Sequence, residues 1–364
     1  MSLTGAEPPT VRRALDSGEA LPGTAGFAGA VDGRLVRDVL GRYPLFSEAD
    51  DPGQWSHDPT QLDNPERLQA GHVRDASGTE RVFSLPDPEP TTAPAAAVWA
   101  VRSSVEQSLD AVDTAGLAVA FSGGLDSAVL AAHLDAPLYT VGFPGSHDCR
   151  AAKSAAALLD AELRTVELDH ERLETAIPAL AHATRRTNAM DVQIALPLFI
   201  LAQRVAADGF ERLALGQGAD ELFGGYAKVA RAPEDSRVEA ETVRGARREL
   251  LGTLPDQLER DVLALRAAGV TPVTPLLDDR VVRAGLSVPD ELLVTARGDR
   301  KWALRLAARD PLPDRIAFRE KKAVQYGSLV GRELDRLARQ AGFKRRHGDH
   351  VTSYIEHRVA ASEQ

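Results

Sequence analysis

The run Phe121-Ser122-Gly123-Gly124-Leu125-Asp126-Ser127 lies between a short apolar stretch, Leu117 to Ala120, and an Ala/Leu-rich segment with helical character. A strand that ends in serines and glycines and then opens a helix leaves backbone N–H groups pointing at open space, where they and the helix dipole attract phosphate. Two glycines permit a tight turn and let an anion approach the backbone closely. Ser122 and Ser127 add hydroxyl donors, and Asp126 offers a carboxylate oxygen to a magnesium ion that bridges phosphates. An ordinary strand-to-helix turn also uses glycine pairs and serine caps; the whole combination with its flanks is what favours an anion site. No Gly-Lys-Ser/Thr triplet follows, so a loop that delivers a γ-phosphate is not indicated.

Around this turn the patterns alternate. Val98 to Asp113 reads as helix, Leu117 to Phe121 as strand, Asp126 to Leu134 as helix and Pro137 to Phe143 as strand. Arg150 to Leu159 and Arg172 to Ala183 continue as helices around a strand at Arg164 to Leu168. A helix at Gln193 to Ala207, capped by Gly209, and a strand at Arg212 to Leu215 follow. Beyond Tyr226 the segments become helical and Arg-rich. Strands alternating with helices imply a parallel sheet with helices packed on it. Pro86, Pro88, Pro90 and Pro94 mark a linker before this region. These signals divide the chain into residues 1–90, 91–345 and a tail at 346–364.

Several motifs point to a family. The order Ser-Gly-Gly-Leu-Asp-Ser at 122–127 resembles the signature of the PP-loop ATP pyrophosphatases, which cleave ATP between the α and β phosphates. The run Leu213-Ala214-Leu215-Gly216-Gln217-Gly218-Ala219-Asp220-Glu221-Leu222-Phe223-Gly224-Gly225-Tyr226 resembles the second motif of the asparagine synthetase synthase domain. Tyr139 to Asp148, Asp191-Val192 with Ala195-Leu196-Pro197, Pro275 to Asp278, and Lys301-Trp302-Ala303-Leu304-Arg305 are similar to further segments of that family, in family order from about residue 100 to about 330. The resemblance implies an α/β fold: a PP-loop (adenine nucleotide alpha hydrolase-like) parallel sheet with flanking helices, a helical C-terminal part and a small β-rich N-terminal domain. It also implies ATP and Mg2+ as cofactors. Asp126 and Asp220 would hold the metal, and Val141 and the backbone of Gly216 would contact the base and ribose. For Glu221, and as the alternative for Asp220, a solvated acid at a helix N-terminus is the competing reading. Arg319 to Ser328 resembles the family's catalytic-lysine loop, with Lys321 as the matching lysine and Lys322 as the alternative. The chain has only six lysines beside thirty-seven arginines, so two adjacent lysines are informative. A solvated surface turn is the other reading of that pair.

One departure stands out. Gln217 occupies the position where common asparagine synthetases carry glutamate and β-lactam-forming relatives carry tyrosine. An amide cannot act as a general base, so Gln217 is left to orient groups by hydrogen bonds or to support its loop. The resemblance therefore implies a ligase that adenylates a carboxylate, with aspartate the first candidate and another amidating or lactam-forming reaction the rival. A nucleotide-binding scaffold without turnover is the non-enzyme alternative.

The N-terminal region reads differently. Arg37 to Phe46 resembles the strand-turn element of the family's glutaminase domain, whose nucleophile is a cysteine exposed by methionine removal; Ser2 stands there. A serine is far less nucleophilic than a thiolate at neutral pH. Residues 1–90 are accordingly expected to be a reduced, inactive remnant, with nitrogen supplied as ammonia, as an amine, or from a separate glutaminase. Cys149 is the sole cysteine, which rules out an internal disulfide and reads as a small buried residue. His347 and His350 read as a solvated tail, and Lys344-Arg345-Arg346 as a solvated face. With 53 acidic against 43 basic residues, a net charge of −10 and no basic stripe, nucleic acid is not an expected partner. The first residues lack a secretory pattern. The longest apolar stretch, Ile194 to Ala202, contains Pro197 and is too short for a bilayer, so neither a leader nor a membrane partner is expected and a cytoplasmic location is.

Overall fold

The computed structural model of the chain describes residues 3–232, 239–319, 329–345 and 348–362. It divides into two compact units. One comprises residues 1–112, 216–259 and 274–311, the other residues 113–215, 260–273 and 312–364.

In the first unit, a helix at Pro8–Ser17 starts on proline and stops at Gly18, whose φ of 72° makes it a left-handed C-cap. β1 (Ala28–Val31) and β2 (Arg34–Arg37) form an antiparallel hairpin. Its two-residue turn is Asp32-Gly33, both at positive φ, the pairing that matches strand twist. β3 (Phe46–Glu48), β4 (Trp55–Ser56), β5 (Pro65–Arg67), β6 (His72–Asp75) and β7 (Gly78–Arg81) complete two small sheets, ordered β1-β2-β6-β7 and β4-β3-β5. Ala28, Leu35, Leu45, Trp55 and Leu68 form their shared core. The Arg37–Phe46 segment runs from the end of β2 into β3. Arg37 is fully buried, and its guanidinium donates to the carbonyls of Tyr43, Leu68 and Gly41 at 2.8, 2.8 and 3.0 Å.

The proline-rich stretch is pinned. Arg248 donates to the carbonyls of Leu85 and Pro86, and Arg244 to that of Pro88. The following helix spans Pro94–Asp110, four residues earlier than its apolar pattern suggests, because Pro94 sits at N1 where its missing N–H costs nothing. It packs on the helices Asp279–Leu286 and Trp302–Ala307.

The second unit is built on a parallel five-stranded sheet: β8 (Leu117–Ala120), β9 (Leu138–Gly142), β10 (Leu163–Glu167), β11 (Arg212–Ala214) and β12 (Thr271–Val273), in spatial order β10-β9-β8-β11-β12. β12 interrupts the helical half that follows Tyr226. It is short and contains Pro272, which an edge strand tolerates. Helices at Leu125–His133, His147–Leu158, His170–Thr184, Ala189–Ala207, Val330–Gln340 and His350–Ser362 belong to the same unit. Ala189–Ala207 is longer than the apolar stretch that marks it, and by length and composition alone it is able to cross a membrane. Its Val192, Ala195, Leu196, Phe199 and Ile200 lie in the large apolar core, as in a core helix. Gly209, at φ 88°, follows it as expected for a C-terminal cap, with its N–H on the Ala206 carbonyl at 3.0 Å.

Candidate nucleotide site

From β8 the chain steps sideways to β9 and then β10, whereas β11 pairs on the opposite edge of β8, in register Ala214 to Val119. Strand order therefore reverses at β8, and open parallel sheets bind ligands beyond the carboxyl ends of strands at such a point. The Ser-Gly-Gly turn leaves β8 at that end. Phe121 still donates its N–H to the Tyr139 carbonyl at 2.7 Å, and the turn begins immediately after.

Ser122 is exposed and Ser127 buried. The Ser127 hydroxyl ties the turn together: it accepts the Ser122 N–H at 3.2 Å, donates to the Gly124 carbonyl at 3.2 Å and lies 3.3 Å from the Ser122 hydroxyl. The Gly124 N–H reaches the Ser122 hydroxyl at 3.4 Å, a long bond that a stronger acceptor would displace. Gly123 has φ 71°, and a Cβ there would lie 2.5 Å from the Ala151 carbonyl oxygen, so both its conformation and its surroundings require glycine. Gly124 caps the helix Leu125–His133, with Asp126 in its first turn. Val141 is half-buried in β9. Past Gly142, Ser146 caps the helix His147–Leu158 by accepting the Cys149 N–H, and Cys149 is buried as its solitary occurrence suggests.

The other motif belongs to the first unit. Gly216 and Gln217 are half-buried, and Gly218, at φ 87°, caps the short helix Ala219–Leu222. The Leu277 side chain occupies the space a Cβ at Gly218 would need. Asp220 pairs with Lys301 at 2.7 Å, and Lys301 is buried and held at φ 58°. A Cβ on Gly225 would overlap both side chains, which explains the second glycine of Gly224-Gly225. Arg300 donates to the Gly225 carbonyl at 2.6 Å, so the Lys301-Trp302 motif is laced to the Asp220 loop. Glu221 is no solvated acid: it is buried and accepts the Tyr226 hydroxyl at 2.6 Å. Asp191 holds Arg186 and Arg260 at 3.2 and 3.0 Å. Burial pushes its carboxyl up, but the Asn188 amide and the two guanidinia outweigh that and hold it below the usual range.

Asp126 and Asp220 thus fall in different units. Ser2, Lys321 and Lys322 lie outside the described residues. Lys301 and Arg319 carry positions that sequence reasoning did not single out as site residues. Lys301 opens the Lys301-Trp302-Ala303-Leu304-Arg305 motif and is one of six lysines, the two signals the sequence offers for it.

The fold is of the α/β class with an open parallel sheet, and its serine-glycine turn leaves a central strand at the reversal of strand order, where such sheets bind ligands. The asparagine synthase family model matches residues 100–251 and 234–357, and the chain belongs to that family. A putative asparagine synthetase (glutamine-hydrolyzing) 1 of Methanocaldococcus jannaschii is 28% identical over 297 residues, which cover 72% of this chain and 54% of that protein. Asparagine synthetase B (glutamine-hydrolyzing) of Escherichia coli is 26% identical over 194 residues, covering 53% and 34%. The nodule asparagine synthetase (glutamine-hydrolyzing) of Pisum sativum is 25% identical over 239 residues, covering 58% and 40%. The chain therefore spans about half the length of the first of these relatives and less of the others. A crystal structure of NAD+ synthetase from Burkholderia pseudomallei covers 71% of the chain and 93% of its own at 14% identity and a TM-score of 0.21, too poor a superposition to bear on the fold.

Proposed function

We propose that the protein is an ATP-dependent ligase that adenylates a carboxylate, with aspartate the leading substrate, and forms an amide with ammonia or an amine. The observation that carries this reading is the Ser122–Ser127 turn at the reversal of strand order, whose Ser122 and Ser127 hydroxyls and Ser122 and Gly124 N–H groups meet one another at 3.2 to 3.4 Å. Pyrophosphate of ATP would sit on the N–H groups of Gly123 and Gly124 and the hydroxyls of Ser122 and Ser127. Val141 and the backbone of Gly216 would face the base and ribose.

The substrate carboxylate oxygen attacks the α phosphorus, the bond from that phosphorus to the bridging oxygen breaks, and pyrophosphate leaves. Nitrogen then attacks the acyl carbon, AMP departs with the carbonyl restored, and the proton from nitrogen passes to the departing phosphate. Magnesium, when bound, neutralises phosphate charge. Asp126 and Asp220 would hold it, and carboxylate oxygens suit such a hard cation. Lys321 would stabilise the charge of the tetrahedral intermediate. Gln217 would orient the nucleophile without taking its proton.

In this reading residues 1–90 are a glutaminase-like remnant, 91–345 the synthase domain and 346–364 a tail. Nitrogen comes from free ammonia, an amine or a separate glutaminase, in the cytoplasm, without nucleic acid or membrane as partner. Gln217 favours one rival, an amidating or lactam-forming ligase acting on another carboxylate. The test follows AMP and pyrophosphate across a panel of carboxylates supplied with ammonium, glutamine or amines. Aspartate with ammonium as the active pair supports the proposal, and a different productive pair selects the rival. Asp126→Ala and Asp220→Ala should each abolish magnesium-dependent pyrophosphate release, and release retained by both removes the metal assignment. Nucleotide binding without AMP under any pairing leaves only a scaffold.

A further inference from the structure

We infer that Arg319 is a positioning residue for the phosphate turn: it grips the Gly123 carbonyl and thereby aims the Gly124 N–H at the anion. The inference rests on the reading of Ser122–Ser127 as a pyrophosphate site. Arg319 Nη1 donates to the Ala151 carbonyl at 3.2 Å and approaches the Gly123 carbonyl at 3.5 Å. These are its only side-chain hydrogen bonds among the described residues, and no described carboxylate pairs with it. Arg247 is used in the same way, its guanidinium donating to the Gly285 and Leu286 carbonyls at 2.6 and 3.2 Å, so an arginine that fixes backbone carbonyls is a device this chain uses more than once.

Peptide geometry turns the contact into a statement about the site. A trans peptide is planar, and its C=O and N–H point in opposite directions. The C=O of the Gly123–Gly124 peptide points toward Arg319, so the Gly124 N–H points away from it, to the side where the exposed Ser122 hydroxyl lies 3.4 Å off. Anion and guanidinium therefore take opposite faces of one peptide plane. Left alone, this plane has little to hold it. Gly123, at φ 71°, has no Cβ to restrain its backbone, and the Ala151 carbonyl oxygen lies in the direction a Cβ would take. The Gly123 and Ala151 carbonyl oxygens face the same Arg319 Nη1 at 3.5 and 3.2 Å, and without the cation between them nothing would keep two like dipole ends on that side against their repulsion, so the peptide would turn and swing the N–H off the phosphate. A guanidinium that contacts both oxygens removes that repulsion and polarises the peptide, which strengthens the opposite N–H as a donor. Arg319 also stands two residues before Lys321 in the sequence.

The test compares wild type, Arg319→Met and Arg319→Lys as full chains, measuring binding of magnesium pyrophosphate and of AMP by calorimetry, together with the thermal unfolding midpoint. Arg319→Met should weaken pyrophosphate roughly tenfold while AMP affinity stays within about twofold. Arg319→Lys should recover part of the loss, because an ammonium still donates to a carbonyl. The KM for ATP should rise in step with the pyrophosphate constant. Unchanged pyrophosphate affinity in a folded Arg319→Met protein overturns the inference, as does an equal loss for both ligands with a lowered midpoint, which marks plain structural support. Wild type that binds AMP but not pyrophosphate sinks the turn assignment itself, and the inference with it.

Discussion

The charged knot around Arg42 and the turn around Ser122 use the same chemistry to opposite ends. Arg42 is buried; its Nε donates to Asp38 at 2.9 Å and its Nη1 to the Leu277 carbonyl at 2.7 Å, while its Nη2 is ion-paired with Asp279 at 2.8 Å. Asp38 also accepts the Leu40 and Arg42 N–H groups, and Asp279 those of Gly23 and Thr24. Burial lowers the Arg42 pKa, yet the two carboxylates more than offset that and raise it. In the turn, by contrast, hydroxyls and N–H groups meet one another at 3.2 to 3.4 Å beside an exposed serine. Saturated charge marks architecture, and loosely engaged donors at an open edge mark a site. By this criterion the Arg37–Phe46 segment serves as a brace. Arg42 holds Leu277, and Leu277 packs on Gly218 at the head of the Asp220 loop.

The largest effect expected is on that brace. Arg42→Met leaves Asp38 and Asp279 buried without their cation and should cost about 3–5 kcal/mol of stability, read by chemical denaturation. A loss under about 1 kcal/mol would mean that the knot is not saturated and would break the comparison. Next is Gly123→Ala in the turn. The added methyl meets the Ala151 carbonyl at a left-handed φ, so the peptide must move. Pyrophosphate release should fall roughly 100-fold, the scale seen when one preorganised donor is removed. Ser127→Ala is milder. It removes the hub hydroxyl but not the N–H groups, and should reduce release by roughly tenfold.

The turn is legible from local signals alone. Glycine, serine and the flanking apolar run act within a few residues, and strands β8 to β11 lie within about a residue of their apolar patterns. What the sequence hides is set by distance. Arg319 meets Gly123 across 196 positions, and Lys301 reaches Asp220 across the first unit, contacts that no periodicity announces. β12 is hidden by Pro272 and its three-residue length. The prolines before residue 97 are legible as breakers but not as a strap, because the arginines that pin them lie some 160 positions later. The tail misleads for His350, which reads as solvated but is largely buried against Asp335, whereas Arg345 is exposed as expected and still reaches the same carboxylate.

That tail gives the smallest and sharpest test, since it asks whether saturated charge is structural even near the surface. Asp335 binds Arg345 at 2.7 Å, His350 at 2.8 Å and Arg339 at 3.1 Å. The Arg345 guanidinium, opposed by some burial and helped by His350 and Arg339, holds its carboxyl down from the ordinary 3.8 to about 2. A depressed folded-state pKa stabilises the fold above the unfolded value, and the contribution disappears as pH falls through the folded one. Wild type should therefore exceed Asp335→Asn in thermal midpoint by roughly 1–3 °C at about pH 5. The gap should narrow as pH drops from 3.8 toward about 2. Hydrogen exchange in the helix His350–Ser362 should follow the same course, since His350 opens that helix. A gap that is absent at pH 5, or that stays constant down to about 2, would show the cluster to be solvated charge, and would confine the rule drawn from Arg42 to the buried interior.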